Sequence, residues 1–239
     1  CLLRAIEEVL GSDIATPEVL AAWGAAYNQL ADILIGAEAA IYDEKAAAPG
    51  GWRGGRAFKL AARVQESAEI TSFYFRPVDQ QPILDFAPGQ YIGMKLMIDG
   101  EEVRRNYSLS ALAQVGRYRI SVKRETGGVV SNYLHDRLQV GDTLELFPPA
   151  GEFTLTASEK PLVLISGGVG ITPTLSMLEA ALATRRPIHF IHCARNANVH
   201  AFRNWVDELA EQHPQLQRFY CYAEPDEQGP AADHVGLLT

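Results

Sequence analysis

Long apolar runs are missing from this 239-residue chain. No stretch approaches the roughly 20 residues needed to cross a bilayer, so no membrane span is expected. A basic leader is missing as well: the N-terminus CLLRAIEEVL is an amphipathic helical pattern, not the apolar core of a signal peptide. Positive charge is in short supply. With 21 Lys and Arg against 29 Asp and Glu, the formal net charge is −8, which argues against nucleic acid as a partner while leaving room for a local basic patch on phosphate. Cysteine is scarce. Cys1, Cys193 and Cys221 show neither CxxC spacing nor a metal-ligand grouping. The last two sit in apolar runs, where small buried thiols are expected, and a reducing cytoplasm is the expected compartment. The six histidines are scattered and none precedes His135. His189 and His192, three apart in a strand, point to opposite faces, so no metal site is expected in this chain.

What is present is the composition of an ordinary globular protein, 47% apolar and 21% charged, long enough for two domains. The chain begins without Met in the middle of a helical pattern, and it reads as a piece of something larger. Residues 1–48 are helical. After a short helix over 1–10 and Gly11, Thr16-Pro17 supplies an N-cap and a first-turn proline. A long amphipathic helix to about Lys45 then carries Trp23, Tyr27, Leu30, Leu34 and Ile41 as its apolar stripe. Pro49-Gly50-Gly51 marks a domain boundary. Residues 49–158 are dominated by short β-type runs, Ile70–Phe75, Gln90–Ile98, Tyr118–Lys123 and Thr143–Phe147, with one helix near Val130–Leu138. That spacing predicts an antiparallel β-barrel. Residues 159–239 alternate strand and helix: Pro161–Ser166, Pro173–Ala183, Ile188–Cys193, Ala201–Gln212 and Arg218–Ala223. This βαβαβ order predicts a parallel sheet covered by helices, and it stops before the sheet looks complete.

Three motifs carry chemistry. In Ser166-Gly167-Gly168-Val169-Gly170-Ile171-Thr172-Pro173 a strand ends, glycines allow close approach to the backbone, and a helix begins. The free N–H groups and positive dipole end of such a turn suit a pyrophosphate. The motif is not GxGxxG, and in isolation it could be purely structural. Arg105-Asn106-Tyr107-Ser108, in a predicted strand, could hold a phosphate while the aromatic covers a planar ring; a surface arginine beside a core tyrosine would read the same. Gly127-Gly128 before the helix start Val130-Ser131 is a second possible anion site.

In that order the three motifs resemble the ferredoxin reductase superfamily, an FAD-binding barrel followed by a nicotinamide-nucleotide domain. The resemblance implies that Tyr107 and Ser108, with Asn106 between Arg105 and Tyr107, contact the isoalloxazine and that Arg105 meets the FAD pyrophosphate. Tyr91, in Pro88-Gly89-Gln90-Tyr91, is implied as a further FAD contact, and Gly128, Val130 and Ser131 contribute through the helix start. Gly168, Val169, Gly170, Ile171, Thr172 and Pro173 are implied to bind NADH or NADPH. Arg195, after the second strand, could meet a 2′-phosphate or could be a solvated loop arginine.

The first 48 residues narrow the family. Leu2-Leu3-Arg4-Ala5-Ile6, Ala22–Tyr27 and Ala37–Tyr42 look like the last two globin helices of flavohemoglobins, and Gly51-Trp52 and His200-Ala201-Phe202 are similar to segments of their reductase part. The resemblance therefore implies a multi-domain protein: globin helices over 1–48, an FAD barrel over 49–158, and an NAD(P)-binding α/β domain over 159–239 that lacks the family's closing Cys-Gly-Pro segment. It also implies a nitric oxide dioxygenase as the whole protein, monomeric, using FAD, NADH or NADPH, and haem b, with NO and O2 as small-molecule partners. Glu38 interrupts the apolar stripe of its helix. It reads as a rim carboxylate, or, by the resemblance, as the acid that orients the haem-ligating histidine. That histidine is absent from this chain, and Cys1 stands where many relatives have His. The alternatives are the reductase component of an oxygenase, which globin-like helices argue against, and a non-catalytic globin-derived binding or sensor protein.

Overall fold

A computed structural model describes residues 2–112, 116–224 and 229–237; Cys1 lies outside them, as does Thr239. The chain divides into two compact units, 1–48 and 49–239.

The first unit is two helices, α1 (Leu2–Leu10) and α2 (Pro17–Ala47). Gly11 ends α1 at φ +73°, a left-handed conformation that glycine adopts without strain. Thr16 caps α2, its Oγ1 accepting from the Val19 N–H at 3.4 Å, with Pro17 in the first turn. Neither helix buries a residue. Trp23, Tyr27, Leu30, Leu34 and Ile41 are all exposed, because two helices have too little surface to enclose an apolar stripe between them. No described helix is long and apolar enough to cross a membrane.

The second unit opens with an antiparallel six-stranded sheet made of β1 (Arg56–Gln65), β2 (Ile70–Pro77), β3 (Tyr91–Ile98), β4 (Glu101–Ser108), β5 (Tyr118–Lys123) and β6 (Thr143–Leu146), in the order β4-β3-β6-β1-β2-β5. A bridge from Leu109 to Ile120 joins its two ends into a barrel. Strand β1 was not expected. Its Lys59-Leu60-Ala61-Ala62-Arg63 stretch breaks the polar–apolar alternation, and the register shifts between Leu60 and Ala62 at a bulge. The barrel core is Phe58, Leu60, Phe73, Phe75, Ile92, Met94, Tyr118, Ile120 and Leu146. Helix α3 (Val129–Asp136) adds Val130 and Leu134 to it. Trp52 packs on Phe58 and Tyr118, and its indole N–H donates to the Leu146 carbonyl at 3.1 Å.

A four-stranded parallel sheet follows, built from β7 (Leu162–Gly167), β8 (Ile188–Ala194), β9 (Leu216–Tyr222) and β10 (His234–Val235), in the order β10-β9-β8-β7. Helices α4 (Ile171–Leu182) and α5 (Arg203–Gln212) pack on Leu164, Ile188, Phe190, Leu216 and Tyr220. The expectation of a sheet covered by helices needs correcting here. Among the described residues both helices lie on one face, while Val163, Ile165 and Phe219 on the other are exposed. Right-handed crossovers that step in one direction across a sheet deliver every helix to the same side. The two halves of this unit are stitched by polar contacts: the Gly89 N–H donates to the buried Ser176 Oγ at 3.0 Å, and the Leu112 N–H to the partly buried Glu179 carboxylate at 2.6 Å.

Candidate functional site

Two cavities meet where the barrel faces the parallel sheet. The first, about 500 Å³, gathers most of the residues that the motifs single out. Strand β4 contributes Arg105, Asn106, Tyr107 and Ser108; the start of α3 contributes Gly128, Val130 and Ser131; the turn after β7 contributes Val169, Gly170, Thr172 and Pro173. Far apart in sequence, they share one wall because β4 and β5 meet at the barrel seam and the β7–α4 turn abuts it.

Each side chain has a defined state. Arg105 is exposed, makes no ion pair among the described residues, and donates to the Arg104 carbonyl. Tyr107 is half-buried; desolvation pushes its hydroxyl up to about 12, against the lowering effect of Arg105, so it is a neutral donor. Ser131 is buried, its Oγ accepting from the Glu125 N–H at 3.2 Å. Neither α3 nor α4 has a side chain capping its first turn. At α3 this leaves N–H groups for another acceptor, whereas at α4 the Ile171 N–H already donates to the Gly168 and Val169 carbonyls and Pro173 has none to give. A Cβ at Gly128 would lie 2.5 Å from Ser131 Oγ, so any larger residue must displace that hydroxyl. At Gly168, which has φ +51°, and at Gly170 a Cβ would meet nothing within 4 Å. Those glycines keep the space above the turn open; they do not serve packing.

Other motif residues lie elsewhere. Tyr91 stands outside this cavity, opposite Ser108 in the β3–β4 register, with its ring against Gly151. The Ile171 side chain is wholly buried in the core under α4, and its N–H donates to the Gly168 and Val169 carbonyls. Glu38 lies on α2 in the other unit, exposed, accepting from the Tyr42 hydroxyl at 3.5 Å.

The second cavity, about 610 Å³, opens at the carboxyl ends of β7, β8 and β9, the edge where open parallel sheets bind ligands. Gly168 lines it, together with Arg195, Glu69, Lys123, Cys193 and Cys221. Lys123 and Val169 line both cavities, which therefore share a wall. Arg195 is no free loop cation: its guanidinium is paired with Glu69, which Lys123 also approaches at 3.9 Å. Glu69 carried no signal in the sequence, being a single charge in a barrel turn; Lys123 opens the run that ends at Gly127-Gly128. Cys193 corrects the expectation of two buried thiols, since only Cys221 is buried and Cys193 is half-exposed to this cavity.

On the side of the sheet that α4 and α5 cover, Ser166, His192, Tyr220, His200 and Tyr222 form a buried row. Ser166 Oγ and His192 Nδ1 are 2.8 Å apart, and the two imidazoles stack with centroids 4.5 Å apart. His200 Nδ1 is 2.8 Å from the Tyr222 hydroxyl, which accepts from Arg203 at 2.7 Å. Burial lowers His192 to about 4, and burial, with His192 and Arg203 adding to it, lowers His200 to about 2. Both are neutral in the fold.

Comparison with known proteins gives this arrangement a class. Residues 57–155 match the family of oxidoreductase FAD-binding domains and residues 164–237 that of oxidoreductase NAD-binding domains, so the protein is an FAD- and NAD-binding oxidoreductase with the ferredoxin-reductase-type fold. It is 74% identical to a flavohemoprotein of Pseudomonas putida and 64% identical to one of Pseudomonas aeruginosa, in each case over the whole of this chain and 61% of the relative. Among solved structures, the flavohem-like FAD/NAD-binding domain of nitric oxide dioxygenase from Vibrio cholerae is 35% identical, with a TM-score of 0.72, covering 78% of this chain and 81% of that one. A flavohemoglobin from Malassezia yamatoensis with bound FAD and heme aligns at a TM-score of 0.85 and 28% identity, over 99% of this chain and 61% of that one. The chain belongs to the flavohemoprotein family. It spans about three-fifths of the length of the curated relatives it matches.

Proposed function

We propose that this chain is the reductase portion of a nitric oxide dioxygenase, taking hydride from NADH or NADPH at the second cavity and holding FAD in the first. The single observation that carries this reading is the wall of Lys123 and Val169 common to both cavities, since hydride transfer needs donor and acceptor in contact. FAD, when bound, supplies two-electron acceptance and one-electron release. The chain's own work is positioning. Arg105, with no carboxylate partner among the described residues, and the uncapped first turn of α3 suit a pyrophosphate. Tyr107 and Ser108, with Asn106 beside them, would hold the ring system, and a neutral Tyr107 hydroxyl can donate to it without bringing a charge. Tyr91, opposite Ser108, would close over the other side. The open space above Gly168, Val169 and Gly170 suits a second pyrophosphate on the helix end formed by Ile171, Thr172 and Pro173.

Residues 49–158 and 159–239 would be the FAD and NAD(P) domains, and residues 1–48 the last two globin helices. Their exposed stripe of Trp23, Tyr27, Leu30, Leu34 and Ile41 supports this, because such a face needs a globin core to cover it. In the whole protein haem b would supply the chemistry that joins NO and O2 as nitrate, and Glu38 would serve to orient a histidine beside it. A monomer in a reducing cytoplasm suits the free Cys193 and Cys221 thiols.

The test is a visible spectrum of the purified chain before and after anaerobic addition of NADH. Flavin absorbance that bleaches is the expected result. A chain that retains no flavin when loaded with excess FAD overturns the reading.

A further inference from the structure

Two thiols of the second cavity lie outside the residues assigned above to either nucleotide. Cys193 lies at the carboxyl end of β8 and Cys221 in β9, and they are register partners on neighbouring parallel strands. Such partners project from the same face of the sheet, on backbones about 4.7–4.9 Å apart, within the Cα separation of about 4.4–6.8 Å that a two-sulfur link tolerates. The side chains are in contact. Burial, and then the Cys193 thiol hydrogen-bonded beside it, hold the Cys221 thiol above the ordinary range. Both are free thiols, and both line the cavity that Gly168 and Arg195 also line. Cys193 is half-exposed there, while Cys221 is buried behind it.

We infer that Cys193 and Cys221 form a dithiol site that captures trivalent arsenicals in the nucleotide cavity, and that the captured arsenical and the nucleotide exclude one another. The exclusion rests on the nucleotide reading of that cavity; the capture does not. A thiol held mostly protonated at neutral pH makes Cys221 a poor lone nucleophile, so reagents that take one thiol should react slowly with it. Arsenic(III) takes two. In an organoarsenous acid, each of two As–OH groups is displaced by one S–H. An As–S bond forms, the S–H and As–O bonds break, and the proton leaves with the hydroxyl as water. Arsenic stays trivalent and no electron moves. After the more accessible Cys193 reacts, Cys221 closes the ring from the adjacent strand in an intramolecular step, with the high effective concentration of a held partner. Soft thiolate ligation gives the product its stability.

The probe is phenylarsine oxide, added with a phosphine reductant to the full chain carrying Cys1→Ser, so that two thiols remain. Intact mass, thiol count and the concentration for half-capture are read, with and without saturating NAD+. The expected result is one arsenical per chain, loss of both thiols together, and at least tenfold weaker capture in Cys193→Ser and in Cys221→Ala. Flavin content and circular dichroism check that the variants are folded. Two arsenicals per chain, or single variants that capture as tightly as the parent, overturn the dithiol site. NAD+ should raise the half-capture concentration. If NADH bleaches the flavin yet NAD+ gives no protection, the exclusion is wrong; if NADH fails to bleach the flavin, the nucleotide reading itself is wrong, and capture is judged separately.

Discussion

Lowering the pH from 8 to 5 should loosen the parallel sheet through two imidazoles. His192 and His200 are buried and neutral, held at about 4 and about 2 by burial first, with Arg203 and their mutual proximity adding to the effect on His200. The groups that face them are Ser166 on β7, Tyr220 and Tyr222 on β9, and Arg203 on α5. Among the described residues no carboxylate touches either ring directly; Asp207 reaches the row through Arg203 and the Tyr220 hydroxyl. In an unfolded chain a histidine binds a proton near pH 6.5. Below that value the unfolded state takes up protons that the native state refuses, so stability falls with falling pH. The cost is about 1.4 kcal/mol per pH unit for each group, or about 2 kcal/mol each at pH 5. The loss from His192 levels off below about pH 4, where the native ring also protonates. For both rings together about 4 kcal/mol is the upper bound, a large share of the roughly 5–15 kcal/mol that holds a domain. A two-unit chain need not unfold in one step, so the measurement should be local: hydrogen exchange of β8 and β9 amides at pH 8 and 5, corrected for the intrinsic rate. Opening should become easier by about 30-fold for one imidazole, and the effect should shrink correspondingly in His192→Gln, in His200→Gln and most in the double variant. Equal pH-dependent losses of protection in the parent and the double variant would refute the argument.

Three further outcomes follow from other parts of the fold. Glu69→Gln should release Arg195 for a 2′-phosphate and raise the NADPH-to-NADH ratio of kcat/KM about threefold to tenfold, the effect of removing one nearby like charge worth about 1 kcal/mol; an unchanged ratio would show that Arg195 does not face the nucleotide. Gly128→Ala puts a Cβ 2.5 Å from Ser131 Oγ and displaces that hydroxyl from its bonds to the Glu125 N–H and the Gly128 carbonyl at the start of α3. FAD should be retained at least tenfold more weakly, as read by ultrafiltration, while circular dichroism stays the same. Trp52→Ala removes the ring packed on Phe58 and Tyr118 together with the hydrogen bond to Leu146; urea unfolding of the barrel should show a loss of about 3–5 kcal/mol.

The order of elements was legible because short-range physics writes it locally. Thr16-Pro17 and Gly11 set helix ends with side-chain oxygen, missing N–H and left-handed backbone. The change from period-two runs to long apolar strands marked the passage from barrel to parallel sheet. Strand β1 escaped because a bulge suspends its alternation. The motif residues were legible as types: Arg105, Tyr107, Gly128 and Gly170 each announce a backbone or charge requirement. Their common cavity was not, since it depends on the bridge between Leu109 and Ile120.

The sequence by itself determined the succession of helices, barrel and parallel sheet, and it determined which turns could meet a phosphate. Those properties reside in neighbours three or four residues apart. Only the tertiary structure decided that Arg195 is paired with Glu69, 126 residues away. It alone placed Cys193 beside Cys221, and buried His192 against His200 where neither can charge near neutrality. Pairing, acidity and exposure depend on what the folded chain brings within a few ångströms, and parallel pairing across crossover helices puts those neighbours far apart in the sequence.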